Sequence, residues 1–193
     1  MPKLILVRHS EPATDACVAP NQWPLSEVGR KRSAELANVL ARYFPAVLYS
    51  SREAKAVETA ALVGRQLGVP YTAIAGLQEH SRTSAGWLSA EEYRAGMEAL
   101  FARPAETVFG DQSADQAYER FAATVNVLLE RHPEENIVVV THGTVITLLI
   151  QRNTPALDPL QFWQKLGLPA VVVLSRPELA LEQLIEKVGS DGA

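Results

Sequence analysis

Three short stretches of this chain combine side chains that can hold an anion with side chains that can attack one: Arg8-His9, Ser50-Ser51-Arg52 and Thr141-His142-Gly143. Brought together, two guanidiniums and two imidazoles would form a phosphate site. Arginine offers a planar fork of donors that matches phosphate oxygens in pairs, and its charge does not titrate at cellular pH. Histidine adds chemistry to binding, because an imidazole with an ordinary pKa of about 6.5 is largely neutral at pH 7 and free to attack phosphorus. Such an attack would leave a phosphohistidine, and the departing alkoxide would need a proton from a carboxyl group or a second imidazole. Glu79 is a candidate for that acid.

Whether the three stretches meet depends on the elements that carry them. Each ends an apolar run of strand length, Lys3–Val7, Ala46–Tyr49 and Ile137–Val140. Runs this continuous suit strands covered on both faces, as in a parallel sheet. Helix signals lie between them. Ser26 can cap a helix running toward Phe44, and Ser50 with Glu53 reads as a capping box for a second helix that stops at Gly68. A short strand is expected near Ile74, followed by a loop rich in Ser, Thr and Gly. Ser89 with Glu92 and Ser113 with Gln116 open two more helices, and others are expected from Gly143 and from Asp158-Pro159. Ala170–Leu174 reads as a last strand, and Leu181, Leu184 and Val188 as one face of a C-terminal amphipathic helix.

This alternation predicts an α/β three-layer sandwich, a mostly parallel central sheet flanked by helices, with one domain over residues 1–188 and a disordered tail over 189–193. Ligands of such sheets bind at the carboxyl ends of the strands, where the three stretches lie. Gly143, at the start of its helix, lacks a side chain where an anion would approach most closely.

Composition narrows the ligand. The 193 residues suit one domain, and an apolar fraction of 47% with 21% charged residues supplies an ordinary core. A formal charge of −4 argues against coating a nucleic acid, which calls for a basic face. A small phosphate ester meets only the local field, so arginines and imidazoles can make a positive pocket inside an acidic protein. Cys17 is the only cysteine, which precludes an intrachain disulfide or a multi-cysteine zinc site and suits a reducing cytoplasm. The apolar start is cut short by Arg8-His9, and the stretch over 137–150 is interrupted by Thr141-His142-Gly143-Thr144, so neither reads as a membrane span. The expected partner is a small phosphorylated substrate, with no nucleic acid and no membrane; nothing in the sequence speaks to oligomeric state.

Five motifs in order carry a family resemblance. They are Leu4-Ile5-Leu6-Val7-Arg8-His9, Pro24-Leu25-Ser26-Glu27-Val28-Gly29, Ser50-Ser51-Arg52 with Ala56, Thr59 and Ala60, Leu77-Gln78-Glu79, and Val140-Thr141-His142-Gly143. Over Leu4 to about Leu174 the chain resembles the histidine phosphatase superfamily, first branch, also called phosphoglycerate mutase-like. The resemblance implies that fold and a phosphomonoester hydrolase acting through phosphohistidine on a small metabolite. His9 would accept the phosphoryl group. Arg8, Arg52 and His142 would hold its oxygens, with Ser10 and Gly143 beside them, and Glu79 would be the acid. No metal or other cofactor is implied, because cationic side chains would do a metal's electrostatic work. Two alternatives stand beside hydrolysis: mutase-type transfer to another hydroxyl, disfavoured by the short stretch from Glu79 to His142, and binding of phosphorylated ligands with little turnover.

Several residues depart from the family pattern or stand outside it. Ser10 replaces the glycine usual after Arg-His, Asp15 stands near the usual asparagine, and Gly110-Asp111-Gln112-Ser113 replaces a Gly-Glu-Ser segment. His80 and His132 read as structural or exposed. Trp87 either packs beneath its loop or meets substrate, and Arg176 either adds charge to the site or lies on the surface.

Overall fold

The computed structural model describes residues 1–189, so 190–193 of the expected tail lie outside the described residues. Strands β1 (Lys3–Arg8), β2 (Ala46–Ser51), β3 (Tyr71–Ile74), β4 (Asn136–Thr141), β5 (Ala170–Ser175) and β6 (Leu181–Ile185) form one sheet in the order β3-β2-β4-β1-β5-β6. The pairs β2·β3, β2·β4 and β1·β4 are parallel, whereas β1·β5 and β5·β6 are antiparallel. Helices α1 (Glu27–Leu40), α2 (Ala54–Leu67), α3 (Ala90–Ala102), α4 (Ala114–Arg131), α5 (Gly143–Asn153) and α6 (Pro159–Lys165) cover it.

Strand periodicity divides the core. Leu4, Leu6, Ile137 and Val139 point to one face and pack with Phe121, Val125 and Leu128 of α4 and with α5. Their neighbours Ile5, Val7, Val138 and Val140 point to the other face and meet Leu36 and Leu40 of α1 and Ala60 and Val63 of α2. Because both faces are covered, the strands read as unbroken apolar runs, and the three-layer sandwich follows.

Local signals place most helix starts. Ser26 accepts a hydrogen bond from the Gly29 N–H, Asp158 caps α6, and the Ser89/Glu92 and Ser113/Gln116 capping boxes are both formed. Three expectations are corrected. Ser50 does not cap α2: its backbone is spent in the ladder opposite Ala73 and Val140, and Glu53 stands at the cap with its carboxylate turned elsewhere. The first helix ends at Leu40, followed by a 3₁₀ turn over Ala41–Tyr43. Leu181 and Leu184 belong to edge strand β6, not a helix. After Pro177 the chain turns back beside β5, whose open edge needs hydrogen-bond partners, and a register shift between Val173 and Leu174 disturbs the simple alternation.

Candidate active site

Parallel pairing settles where the reactive stretches go. Arg8 lies opposite Thr141, and Ser50 opposite Val140, so β1, β2 and β4 end together. Beyond their ends lies a cavity of about 350 Å³ whose walls include Arg8, His9, Glu53, Lys55, Glu79 and His142. Arg82 and Tyr93 line it as well. Its charged lining comprises three cations, Arg8, Lys55 and Arg82, and two carboxylates, Glu53 and Glu79. This is the local positive excess that an overall acidic composition conceals.

His9 is buried, and its Nδ1 lies 2.7 Å from the carbonyl oxygen of Ser10. A carbonyl can only accept, so Nδ1 carries the proton and Nε2 keeps its lone pair. Burial, then the neighbouring His142, Lys55 and Arg8, hold the His9 pKa well below that of a free imidazole. The ring is therefore neutral at pH 7, as a nucleophile must be.

The His142 ring centroid lies 5.1 Å from that of His9, at an interplanar angle of 63°. His142 precedes the first residue of α5, and its Nε2 lies 2.9 Å from the Ser51 hydroxyl and 3.5 Å from Glu53 Oε1. Nδ1 is buried with no protein partner among the described residues. Burial, followed by the charges of Lys55 and Arg8, lowers its pKa well below the usual value too.

Arg8 donates through one terminal nitrogen to the Leu166 carbonyl, and its guanidinium carbon lies 6.0 Å from the Trp163 ring centroid. Its Nε is buried without a protein acceptor among the described residues. Gly143 serves this arginine: a Cβ there would stand 3.1 Å from Arg8 Nε and 3.2 Å from Cζ. The missing side chain makes room for the guanidinium, a different reason from the anion approach expected above.

Arg52 is not brought into the cluster. It lies before the first turn of α2, is exposed and does not line the cavity. Lys55, inside that first turn, is 6% exposed; its Nζ donates to Glu53 Oε2 at 2.5 Å and to the Pro20 carbonyl at 2.7 Å. Sequence reasoning missed Lys55, Glu53 and Arg82. The available signal was the helix boundary: Arg52 lies before the Glu53 cap and outside the helix, whereas Lys55 sits in the first turn, so helical spacing does not put the two on one face.

Glu79 is held from several sides. Its two carboxylate oxygens accept from the backbone N–H groups of His80 (2.9 Å) and Thr144 (3.1 Å), and its own N–H donates to Glu53 Oε1 at 2.8 Å. Arg120 of α4 fastens the segment, donating to the carbonyls of Gly76, Gln78 and Glu79 at 2.8–3.0 Å and to Gln112 Oε1 at 3.1 Å. His80 also lines the cavity. It is buried, stacks on Phe109 and donates from Nε2 to the Gln112 carbonyl. Asp111 turns from the cavity to bind Ser81, Thr83 and Ser84.

Other expected residues lie elsewhere. The Ser10 hydroxyl donates to the Gly29 carbonyl at 2.7 Å, so this side chain braces α1 instead of binding phosphate. Asp15 is exposed, and its carboxylate accepts from the Cys17 N–H. His132 contacts Tyr49 and Glu135. Arg176 binds the carbonyls of Leu129 and Glu135 at the opposite edge, because β5 runs antiparallel and its end lies beside Lys3. Among the described residues no three His, Cys, Asp or Glu side chains converge to hold a metal ion, and no helix is long and apolar enough to cross a membrane.

Comparison with known proteins agrees with this geometry. Residues 4–178 match the profile of the histidine phosphatase superfamily (branch 1). The chain is 28% identical over 165 residues to a metal-independent phosphoserine phosphatase of Arabidopsis thaliana, covering 80% of this chain and 69% of that one. Its fold is similar to Bacillus stearothermophilus YhfR, with a TM-score of 0.76, 21% identity and 98% of each chain covered. It is also similar to phosphoserine phosphatase of Entamoeba histolytica in complex with 3-phosphoglyceric acid, with a TM-score of 0.75, 20% identity, and 99% and 98% covered. The chain belongs to the histidine phosphatase superfamily, branch 1. It is an enzyme of that family, and phosphomonoester hydrolysis is the activity this membership supports.

Proposed function

We propose that this chain hydrolyses the phosphomonoester of a small metabolite through a phosphohistidine on His9. One observation carries the reading: the Ser10 carbonyl fixes the proton on Nδ1, leaving a neutral Nε2 lone pair in a cavity lined by Arg8, Lys55, Glu79 and His142. In the first step the Nε2–P bond forms and the P–O bond to the leaving group breaks, and a protonated Glu79 gives its proton to the departing oxygen. In the second step a water oxygen attacks phosphorus, its proton returns to Glu79, and the P–N bond breaks to release phosphate. Arg8, Lys55 and Arg82 face the charge that develops on the transferring oxygens, and His142 adds an Nδ1–H donor in the tautomer whose Nε2 accepts from the Ser51 hydroxyl. None of these steps calls on a metal.

Residues 1–188 act in this reading as one catalytic domain. The compartment is the cytoplasm, in keeping with a single cysteine, and the substrates are small phosphate esters of the kind that name the relatives. Phosphate release from p-nitrophenyl phosphate, with and without a chelator, tests the reading against His9→Ala. Loss of activity in the variant, insensitivity to chelator and an acid-labile phosphoryl label on His9 are expected. Equal rates in both proteins would refute it, and transfer of the phosphoryl group to an added alcohol in place of water would make the enzyme a mutase.

A further inference from the structure

A second cavity, of about 430 Å³, adjoins the first and shares Pro20, Trp23, Arg82, Thr83 and Tyr93 with it. Its character is different. Val18, Ala19, Trp87, Leu88 and Ala90 line it, and Arg82, on the boundary, is its only charged lining residue among those described. Trp23 and Trp87 meet edge to face, centroids 6.1 Å apart at 65°, and form an aromatic corner. Of its polar side chains, Trp23 and Ser89 are already bonded, and the hydroxyls of Thr14, Thr83 and Tyr93 complete the polar lining beside Arg82. Trp23 Nε1 donates to the carbonyls of Asp15 and Val18, and the Ser89 hydroxyl caps α3. The Arg82 guanidinium carbon sits 4.3 Å from the Tyr93 ring centroid.

Because Arg82 lines both cavities, the second lies on the side of Arg82 toward which the leaving group of a phosphate held at His9 would be directed. A carboxylate or a polyhydroxylated chain would find no charged partner there beyond the boundary Arg82 and would lose its own hydration. A flat apolar group would bury against Trp23, Trp87 and Leu88, while Trp87, 56% exposed, would itself be covered. We propose that the second cavity is a leaving-group site for aryl or similarly apolar phosphomonoesters, and that Arg82 divides it from the phosphate site. This rests on the hydrolase reading for its reaction, but the binding it asserts is measurable without turnover.

The test compares 1-naphthylmethylphosphonate with methylphosphonate on the intact protein, both uncleavable. Binding is read by tryptophan fluorescence and by protection of Cys17, the chain's only cysteine and a residue lining the second cavity, from alkylation. The naphthyl compound is expected to bind roughly 10- to 100-fold more tightly, the return on burying its rings, and it alone should protect Cys17. Trp87→Ala, at an exposed position, is expected to remove about tenfold of that preference. In turnover, 1-naphthyl phosphate should exceed phosphoserine in kcat/KM, and Trp87→Ala should affect only the former. Equal binding of the two phosphonates, or no Cys17 protection, would overturn the proposal even if His9-dependent hydrolysis holds. Preferential naphthyl binding retained in an inactive or His9-independent protein would uphold the site while the hydrolase reading fails.

Discussion

Replacing Lys55 and Arg52 in turn separates the site in the structure from the site expected of the motif. Lys55 and Glu53 form a buried pair at 2.5 Å, with side chains 8% and 10% exposed. Lys55→Met leaves Glu53 without its cation, and breaking such a pair from one side costs about 3–5 kcal/mol. The transferring phosphoryl group also loses a charge, a loss on the order of 10²–10³ in kcat for one electrostatic contact in a preorganised site. The double variant Lys55→Met/Glu53→Gln removes both charges, keeps an acceptor for the Glu79 N–H, and should recover most of the stability but little of the activity. Arg52→Ala, at an exposed position outside the cavity, should stay within about twofold of wild type in kcat/KM, the range expected of a surface change. Urea unfolding gives the stability change and p-nitrophenyl phosphate hydrolysis the kinetic one. A hundredfold loss in Arg52→Ala with near-normal activity in Lys55→Met would refute the assignment.

Three further outcomes follow from the same geometry. His9 and His142 have depressed pKa values in the folded state, so the unfolded chain takes up protons first as pH falls below about 6.5. Stability should be complete above that pH and decline by up to about 2.7 kcal/mol per pH unit below it, half of this slope vanishing in His9→Ala; a urea midpoint that does not fall between pH 7.5 and 5.5 would contradict the burial argument. Arg120→Met frees the Glu79 segment and should lower kcat/KM, which is set by P–O cleavage before the water step that all substrates share, by roughly 10- to 100-fold for an alkyl phosphate, yet far less for p-nitrophenyl phosphate, whose leaving group needs no proton. Equal losses in kcat/KM on both substrates would mean that Arg120 does not act through the acid. Gly143→Ala pushes a Cβ against Arg8, and phosphate should bind about tenfold more weakly as the competitive inhibition constant reads it, an unchanged constant showing that the guanidinium moves aside freely.

Much of the fold was legible because its signals are local. Unbroken apolar runs mark β1 and β4 as doubly covered, and capping side chains at Ser26, Ser89, Ser113 and Asp158 mark helix starts within a residue or two. The C-terminal strand was not legible. Leu181, Leu184 and Val188 share helical spacing, and only the open edge of β5 decides that the segment pairs as a strand.

The sequence by itself determined that Arg8, His9 and His142 close apolar strands, and that a neutral imidazole beside cationic donors suits phosphoryl chemistry. Tertiary structure decided the rest of the site. It sets Arg176 at the far edge because β5 is antiparallel, gives Ser10 to Gly29, and brings Glu53, Arg82 and Arg120 from three separate elements onto one loop and cavity. It also chooses Lys55 over Arg52. Both residues are cationic and three positions apart, but α2 begins between them, and the direction in which a side chain leaves a helix depends on where its first turn starts.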